Sequence, residues 1–267
     1  MSFNLKRGNL LDYTEYFKPP VIDKNTGSVQ SKLLSWTRRK LDLQFGSIWR
    51  DLSQILPNLN GNILDVGCGS QPFRVLLHTE KIKYVGLDFA DAKSNFGYQD
   101  PDTVYYDGEV FPFDDSTFDN VLCTETLEHI ASPSWFIGEL SRVLKPNGTL
   151  IMTIPFAARW HFIPFDYFRY TPSSINNLLT NTYKNIYIYA RGNELTVACY
   201  KVLSMLIPLL FVKKSLLKTI MLRCLGIICF PLILLVSIVG NISIAKTNMA
   251  ADCLGFTIVA ERVGNDQ

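Results

Sequence analysis

Asn62-Ile63-Leu64-Asp65-Val66-Gly67-Cys68-Gly69-Ser70 is an apolar run that reaches an aspartate and then breaks into a glycine-rich turn. A buried strand leaving the core through such a turn is the opening unit of a doubly wound α/β sheet. Gly67 and Gly69 permit backbone torsions and close approach that a β-carbon would block. Downstream the same rhythm repeats. Short apolar strands are expected at 62–66, 84–88, 104–106, 120–124, 149–154, 185–191 and 254–261. Helices are expected at about 73–80, 134–143 and 173–180. Strands alternating with helices imply a mainly parallel sheet covered on both faces. Upstream, apolar residues recur at helical spacing from Leu33 to Leu56, which reads as one broken helix or two short ones interrupted near Gly46.

Composition sets the outer limits. The 267 residues suffice for one large α/β domain with an insertion, and 48% of them are apolar against 19% charged. A formal net charge of +2 gives no reason to expect a nucleic-acid partner. No secretory signal is seen after the polar start at Met1 to Lys6, so a cytoplasmic chain is expected. Cys68, Cys123, Cys199, Cys224, Cys229 and Cys253 contain no C-x-x-C pair, and the three histidines are scattered. Reduced, packed thiols and no metal are therefore expected. The expected organisation is an N-terminal helical cap over 1–57, a core domain from 58–194 and 252–267, and an apolar insertion at 195–251.

The charge beside the glycine turn separates two nucleotide ligands. A dinucleotide fingerprint wants G-x-G-x-x-G, but Pro72 stands at the third glycine. A pyrophosphate would also meet Asp65, an unfavourable neighbour. S-adenosylmethionine carries an ammonium and a sulfonium instead of phosphate, and an aspartate there attracts both.

Asp65-x-Gly67-x-Gly69 resembles the first motif of class I S-adenosylmethionine-dependent methyltransferases, in particular the type 11 branch that includes ubiquinone-biosynthesis methyltransferases. Tyr84-Val85-Gly86-Leu87-Asp88 follows, with Asp88 placed 88 − 65 = 23 residues on. Asp107-Gly108, the stretch from Phe111 to Asp119, the Thr124-Glu125-Thr126-Leu127-Glu128-His129 segment and the Arg142-to-Leu150 turn resemble successive motifs of that branch. The resemblance covers roughly residues 61–170 and the final strand. It implies a Rossmann-like, seven-stranded, mainly parallel sheet with an antiparallel last strand, to which the residue pattern adds N-terminal helices and an apolar helical insertion between strands six and seven. It also implies S-adenosylmethionine as cofactor. Asp65, Gly67, Cys68 and Gly69 would line its methionine end. Asp88 would accept the ribose hydroxyls with Phe89 also binding the cofactor, Asp107 and Gly108 would meet the adenine edge, and Glu125 and His129 would shape the pocket beside the methionine. The branch's frequent third glycine is Gln71 here, which is expected to change how the turn meets the methionine moiety.

Chemistry is expected in the loop after the fifth strand, Arg159-Trp160-His161-Phe162-Ile163-Pro164-Phe165-Asp166-Tyr167-Phe168-Arg169-Tyr170-Thr171. Imidazoles change charge near neutral pH, which suits His161 to accept a proton from the acceptor. Asp166 would orient it or take the proton itself. Arg169 would clamp an acidic group while Tyr167 and Tyr170 contact the substrate; alternatively Asp166 and Arg169 form a structural ion pair and the aromatics are core. His78, among Leu76, Leu77 and Glu80, is expected at the surface.

Between the sixth and seventh strands, residues 195–251 contain no Asp or Glu. Cys224 to Ala245 is uncharged throughout and long enough for a span, which needs roughly 20 apolar residues, whereas Val202 to Val212 is too short. The last strand must return to the same sheet, and two full spans would carry Lys213, Lys214, Lys218 and Arg223 across the membrane, against the positive-inside tendency. A hairpin dipping into one leaflet from the cytosolic face satisfies both constraints, the alternative being a buried hairpin or oligomer interface. The expected protein is thus a methyltransferase peripheral to the membrane, acting on a small-molecule, lipid-linked or glycan acceptor. A soluble enzyme whose insertion is an oligomer interface and an inactive cofactor-binding relative are the competing readings.

Overall fold

The period-two alternation of the central strands explains the layering. In β1 (Gly61–Val66), β4 (Phe118–Thr124) and β5 (Leu144–Pro155), Ile63, Leu122 and Ile151 face one side, while Leu64, Val121, Cys123, Leu150 and Met152 face the other. Both faces are buried, so each Leu or Ile contributes roughly 1.5–3 kcal/mol of burial. The computed structural model describes residues 29–78, 80–90 and 103–264; the expected polar N-terminal stretch before them lies outside the described residues.

The remaining strands are β2 (Ile82–Phe89), β3 (Thr103–Tyr106), β6 (Tyr183–Ala190) and β7 (Gly255–Arg262). Their order is β3-β2-β1-β4-β5-β7-β6, seven strands in one sheet. β7 runs antiparallel between β5 and β6, and the other pairings are parallel. All seven strands fall where the sequence places them. The order reverses between β1 and β4, which opens a crevice beyond their carboxyl ends.

Two helices precede the sheet, α1 (Val29–Leu41) and α2 (Leu43–Ile55). The break lies at Asp42, not at the expected Gly46. Asp42 caps α2, its Oδ1 accepting the Phe45 amide at 3.2 Å. Gly46 sits inside α2, where a β-carbon would come within 2.3 Å of the Arg39 carbonyl oxygen. It permits contact between the helices instead of ending one. The expected helix at 73–80 is also corrected. After Pro72 the chain makes a single 3-10 turn, Arg74–Leu76, closed by bonds from Leu76 to Phe73 and from Leu77 to Arg74. That one turn already inserts Phe73 and Leu77 into the core.

On the other face lie α3 (Pro133–Val143) and α4 (Pro172–Leu179), both with proline in the first turn. The insertion forms three helices, α5 (Glu194–Phe211), α6 (Leu216–Ile228) and α7 (Phe230–Lys246). A reciprocal capping box between Asn193 and Thr196 starts α5. Ser243 of α7 joins this box through Thr196 and Asn193, at 2.9 and 2.5 Å. Ser237 and Asn241 of α7 both donate to the Lys40 carbonyl at the end of α1. The inner face of the insertion is thereby seated on α1 and α2, with Leu43 packed among Val197, Leu203 and Ile233.

Candidate active site

Register brings the motif residues together. Asp65 pairs with Gly86 and Val66 with Leu87, so the turn after β1 faces Asp88 at the end of β2. The Gly67 amide donates to the Leu87 carbonyl at 2.8 Å. Gly67 has φ +69, and a β-carbon there would strike the Thr126 side chain, so only glycine fits.

Asp65 is 2% exposed. Its Oδ2 accepts the Tyr84 hydroxyl at 2.7 Å, and its Oδ1 has no partner among the described residues. Burial, opposed by the Tyr84 bond and aided by the nearby Asp88 charge, pushes its carboxyl up to about 7. Asp88 is also raised by burial, although it accepts the Gly69 amide at 2.9 Å and the Phe89 amide at 2.8 Å. Gln71, in place of the expected glycine, keeps a glycine-like φ of +54. Its buried side chain turns under β3, donating to Thr103 Oγ1 at 2.8 Å and accepting from Arg74 at 3.0 Å. The Cys68 thiol also packs there, 3.6 Å from Thr103 Oγ1. Phe89 is exposed beside Tyr106, and Asp107 is exposed with Oδ1 accepting the Glu109 amide. Gly108 (φ +96) lies against the Phe89 ring.

Glu125 follows β4 in a left-handed conformation, φ +49, and is paired with a residue that the sequence did not single out. Arg191, just past β6, is buried and donates to Glu125 Oε1 at 2.7 Å, to the Ile154 carbonyl at 3.1 Å and to Ser47 Oγ at 3.3 Å. It ties the loop after β4 to α2 and to the end of β5. A lone arginine closing an apolar strand was the available signal. Other motif residues form scaffold. Arg142 bridges Glu139 at 2.7 Å and holds the carbonyls of Phe111 and Phe113, while Lys145 pairs with Asp119 at 2.7 Å.

The loop after β5 folds over the Leu127–His129 turn. Asp166 binds Arg169 through both oxygens, at 2.5 and 2.8 Å, and its Oδ2 accepts the His161 backbone amide at 3.0 Å. Burial raises the Asp166 carboxyl, but the Arg169 bridge and the His161 contacts outweigh it and hold it below its ordinary range. The His161 ring lies 3.6 Å from Asp166 through Nδ1, and that nitrogen bonds the Arg159 carbonyl at 3.0 Å instead. Arg169 also donates to the carbonyls of Arg159 and Phe168. Asp166 and Arg169 are thus paired bidentately, and the pair is bonded to the His161 amide and the Arg159 carbonyl at the start of the loop. Tyr170 is buried, its hydroxyl without a partner among the described residues, whereas Trp160, Phe162, Phe165, Tyr167 and Phe168 form an exposed aromatic rim. His78 is exposed.

His129 and His161 meet edge to face, with ring centroids 4.8 Å apart. Between them lies Glu128, quoted with the motif yet given no role in the sequence. Its carboxylate is fully buried, neither oxygen has a hydrogen-bond partner among the described residues, and Oε1 is 3.7 Å from His129 Nε2 and 3.9 Å from His161 Nε2. Burial first, then the charge of Glu125, raises the Glu128 carboxyl well above its ordinary value. Burial and the neighbouring His161 lower His129 to about 4, although its Nδ1 bonds the Phe165 carbonyl at 2.9 Å.

Residues 64–152 match the family described as methyltransferase domain. Among similar curated proteins, a mitochondrial ubiquinone biosynthesis O-methyltransferase of Dictyostelium discoideum is 32% identical over 37% of this chain and 36% of its own length. A ubiquinone/menaquinone biosynthesis C-methyltransferase of Desulfotalea psychrophila is 28% identical over 54% of this chain and 62% of its own. The chain thus spans less than two thirds of the length of these relatives. Among solved structures, a SAM dependent methyltransferase from Archaeoglobus fulgidus superposes with a TM-score of 0.50 at 15% identity, covering 88% of this chain and 100% of that one, a likeness of fold. The matched residues run from β1 to β5, so the similarity to methyltransferase domains falls on the part of the sheet that carries Asp65 and Asp88 and has the strand order described above.

Proposed function

We propose that the protein transfers a methyl group from S-adenosylmethionine to a small, lipid or lipid-linked acceptor at a membrane surface. The observation that carries the cofactor half is the orphaned, buried Asp65 Oδ1 in the crevice. A buried carboxylate oxygen without a donor is costly, and a ligand ammonium supplies both donor and charge. Asp88 keeps acceptor capacity beyond its two amide bonds, which suits ribose hydroxyls. When bound, S-adenosylmethionine supplies an electrophilic methyl on a positive sulfur. The protein's part is alignment, with the Asp166–Arg169 pair fixing the loop and the Glu128–His129–His161 cluster handling the acceptor's proton. Asp166 acts here as a positioning residue, and Tyr167 stands on the exposed rim where an acceptor ring could stack.

The acceptor class follows from the insertion and from the quinone-pathway names of the relatives. α5 is long and apolar enough to cross a membrane by length and composition, and α6 with α7 passes the same test as a pair bent by 52°. The anchoring of Ser237, Asn241 and Ser243 on the domain favours a hairpin lying on one leaflet over two spans. Leu216 and Leu217 are each 79% exposed beside Lys213, Lys214 and Lys218, an apolar face edged with cations that fits anionic headgroups on a cytosolic surface.

Incubation with methyl-labelled cofactor and separate lipid, glycan and protein extracts should label the lipid extract. Label in the protein extract alone would overturn the acceptor reading, and label in none the activity. Replacing Lys213, Lys214 and Lys218 with Ala should move protein from anionic vesicles into solution, whereas an insertion serving as an oligomer interface would leave the wild type soluble throughout.

A further inference from the structure

The two histidines beside Glu128 are held in one tautomer. A carbonyl oxygen only accepts, so Nδ1 of His129, against the Phe165 carbonyl, and Nδ1 of His161, against the Arg159 carbonyl, each carry the hydrogen. In the neutral rings both Nε2 atoms therefore present lone pairs, and both face the Glu128 carboxylate, at 3.7 and 3.9 Å. Three potential ligand atoms converge, all within 4.8 Å of one another, and neither Glu128 oxygen is hydrogen-bonded to either ring. Separations of 3.7 and 3.9 Å are too long for a hydrogen bond from a protonated Glu128 to either ring.

We propose that Glu128, His129 and His161 bind one divalent transition-metal cation. Tetrahedral ligands at bonds of about 2.0–2.1 Å stand about 3.4 Å apart, so closing the present gaps takes only side-chain adjustments. Two imidazoles and one carboxylate suit zinc-like cations, and three protein ligands leave a position open. Carbonyl bonds on the far nitrogens are the usual means of orienting ligating histidines. The Asp166–Arg169 pair, through the His161 amide and the Arg159 carbonyl, holds the loop that delivers the third ligand. Sequence spacing hid the site because Glu128 and His129 lie after β4 while His161 comes from the loop after β5. The use of the cation rests on the methyltransferase reading. It would hold an acceptor hydroxyl oxygen at the open position and favour release of that proton to water before the methyl moves from sulfur to oxygen.

The test is binding, independent of turnover. Chelator-treated protein is titrated with Co2+, followed by visible absorption, and with Zn2+, followed by calorimetry, with S-adenosylmethionine affinity measured on the same samples. One equivalent should bind, with the ligand-field bands of a low-coordinate site. Glu128→Gln, His129→Ala and His161→Ala should each weaken binding tenfold or more, and His78→Ala should not. His161→Gln, in the outer loop, serves if the buried variants unfold by circular dichroism. No stoichiometric binding, or binding unchanged in the cluster variants, overturns the proposal. Intact cofactor affinity in that case leaves the methyltransferase reading standing, whereas metal binding without cofactor affinity would overturn that reading alone.

Discussion

Asp65, the proposed partner of the cofactor ammonium, should tie cofactor affinity to pH in a definite direction. Burial pushes its carboxyl up to about 7 in the ligand-free protein. If the cofactor ammonium pairs with the ionised form, binding below that value first requires loss of a proton. The apparent dissociation constant then scales as one plus the ratio of protonated to ionised Asp65. Between pH 6 and 7.5 that factor falls about eightfold, or about 1.3 kcal/mol. Asp65→Asn should bind more weakly and lose the slope. The stability of the free protein should move oppositely. A folded-state value above the unfolded one means that the folded chain retains a proton between pH 4 and 7 that the unfolded chain has lost. Stability therefore declines as pH rises through that window, by at most about 4 kcal/mol. Calorimetric titration at fixed ionic strength reads the affinity, and denaturant melts at pH 5 and 7 read the stability. An affinity that is flat or falling toward pH 7.5, or a slope that survives in Asp65→Asn, would refute the pairing of Asp65 with the ligand cation.

Asp88→Ala should weaken S-adenosylmethionine by about 1.5–3 kcal/mol, the range for hydrogen bonds to a charged group, with NADH showing no binding; NADH binding tighter than S-adenosylmethionine would contradict the site assignment. His161→Ala should lower turnover by roughly 10²–10⁴ with cofactor affinity nearly unchanged, and wild-type turnover would remove His161 from the chemistry. Arg191→Met leaves Glu125 and the Ile154 carbonyl without their buried donor, so urea unfolding should show a loss of about 3 kcal/mol or more. A loss under about 1 kcal/mol would show that the pair is dispensable.

Legibility followed the range of the forces involved. Every strand was readable because Ile63, Leu64, Leu122, Ile151 and Met152 are buried on both faces, and that demand is written locally as short apolar runs. Helix ends were less readable because caps compete. Gly46 carried a generic breaker signal, yet the Asp42 side chain was the group able to satisfy an orphan amide. The turn at 73–80 looked helical from Phe73, Leu76 and Leu77, but Pro72 and the left-handed Gln71 tighten the chain into a single 3-10 turn.

The site divides in the same way. Asp65, Gly67 and Asp88 could be placed because strand register fixes them relative to one another. Arg191 with Glu125, and His161 with Glu128, meet only through loops from separate strand ends, and no spacing rule reports such a meeting. The loop after β5 shows what that concealed. Its pattern suggested a histidine oriented by Asp166, but the Arg169 guanidinium matches a carboxylate at two points where an imidazole offers one, so it takes Asp166. His161 is left to donate to a backbone carbonyl, and its free nitrogen turns to Glu128. The competition for one carboxylate thus decides which acid the second ring nitrogen of His161 faces, and the proposed role of the buried cluster rests on that outcome.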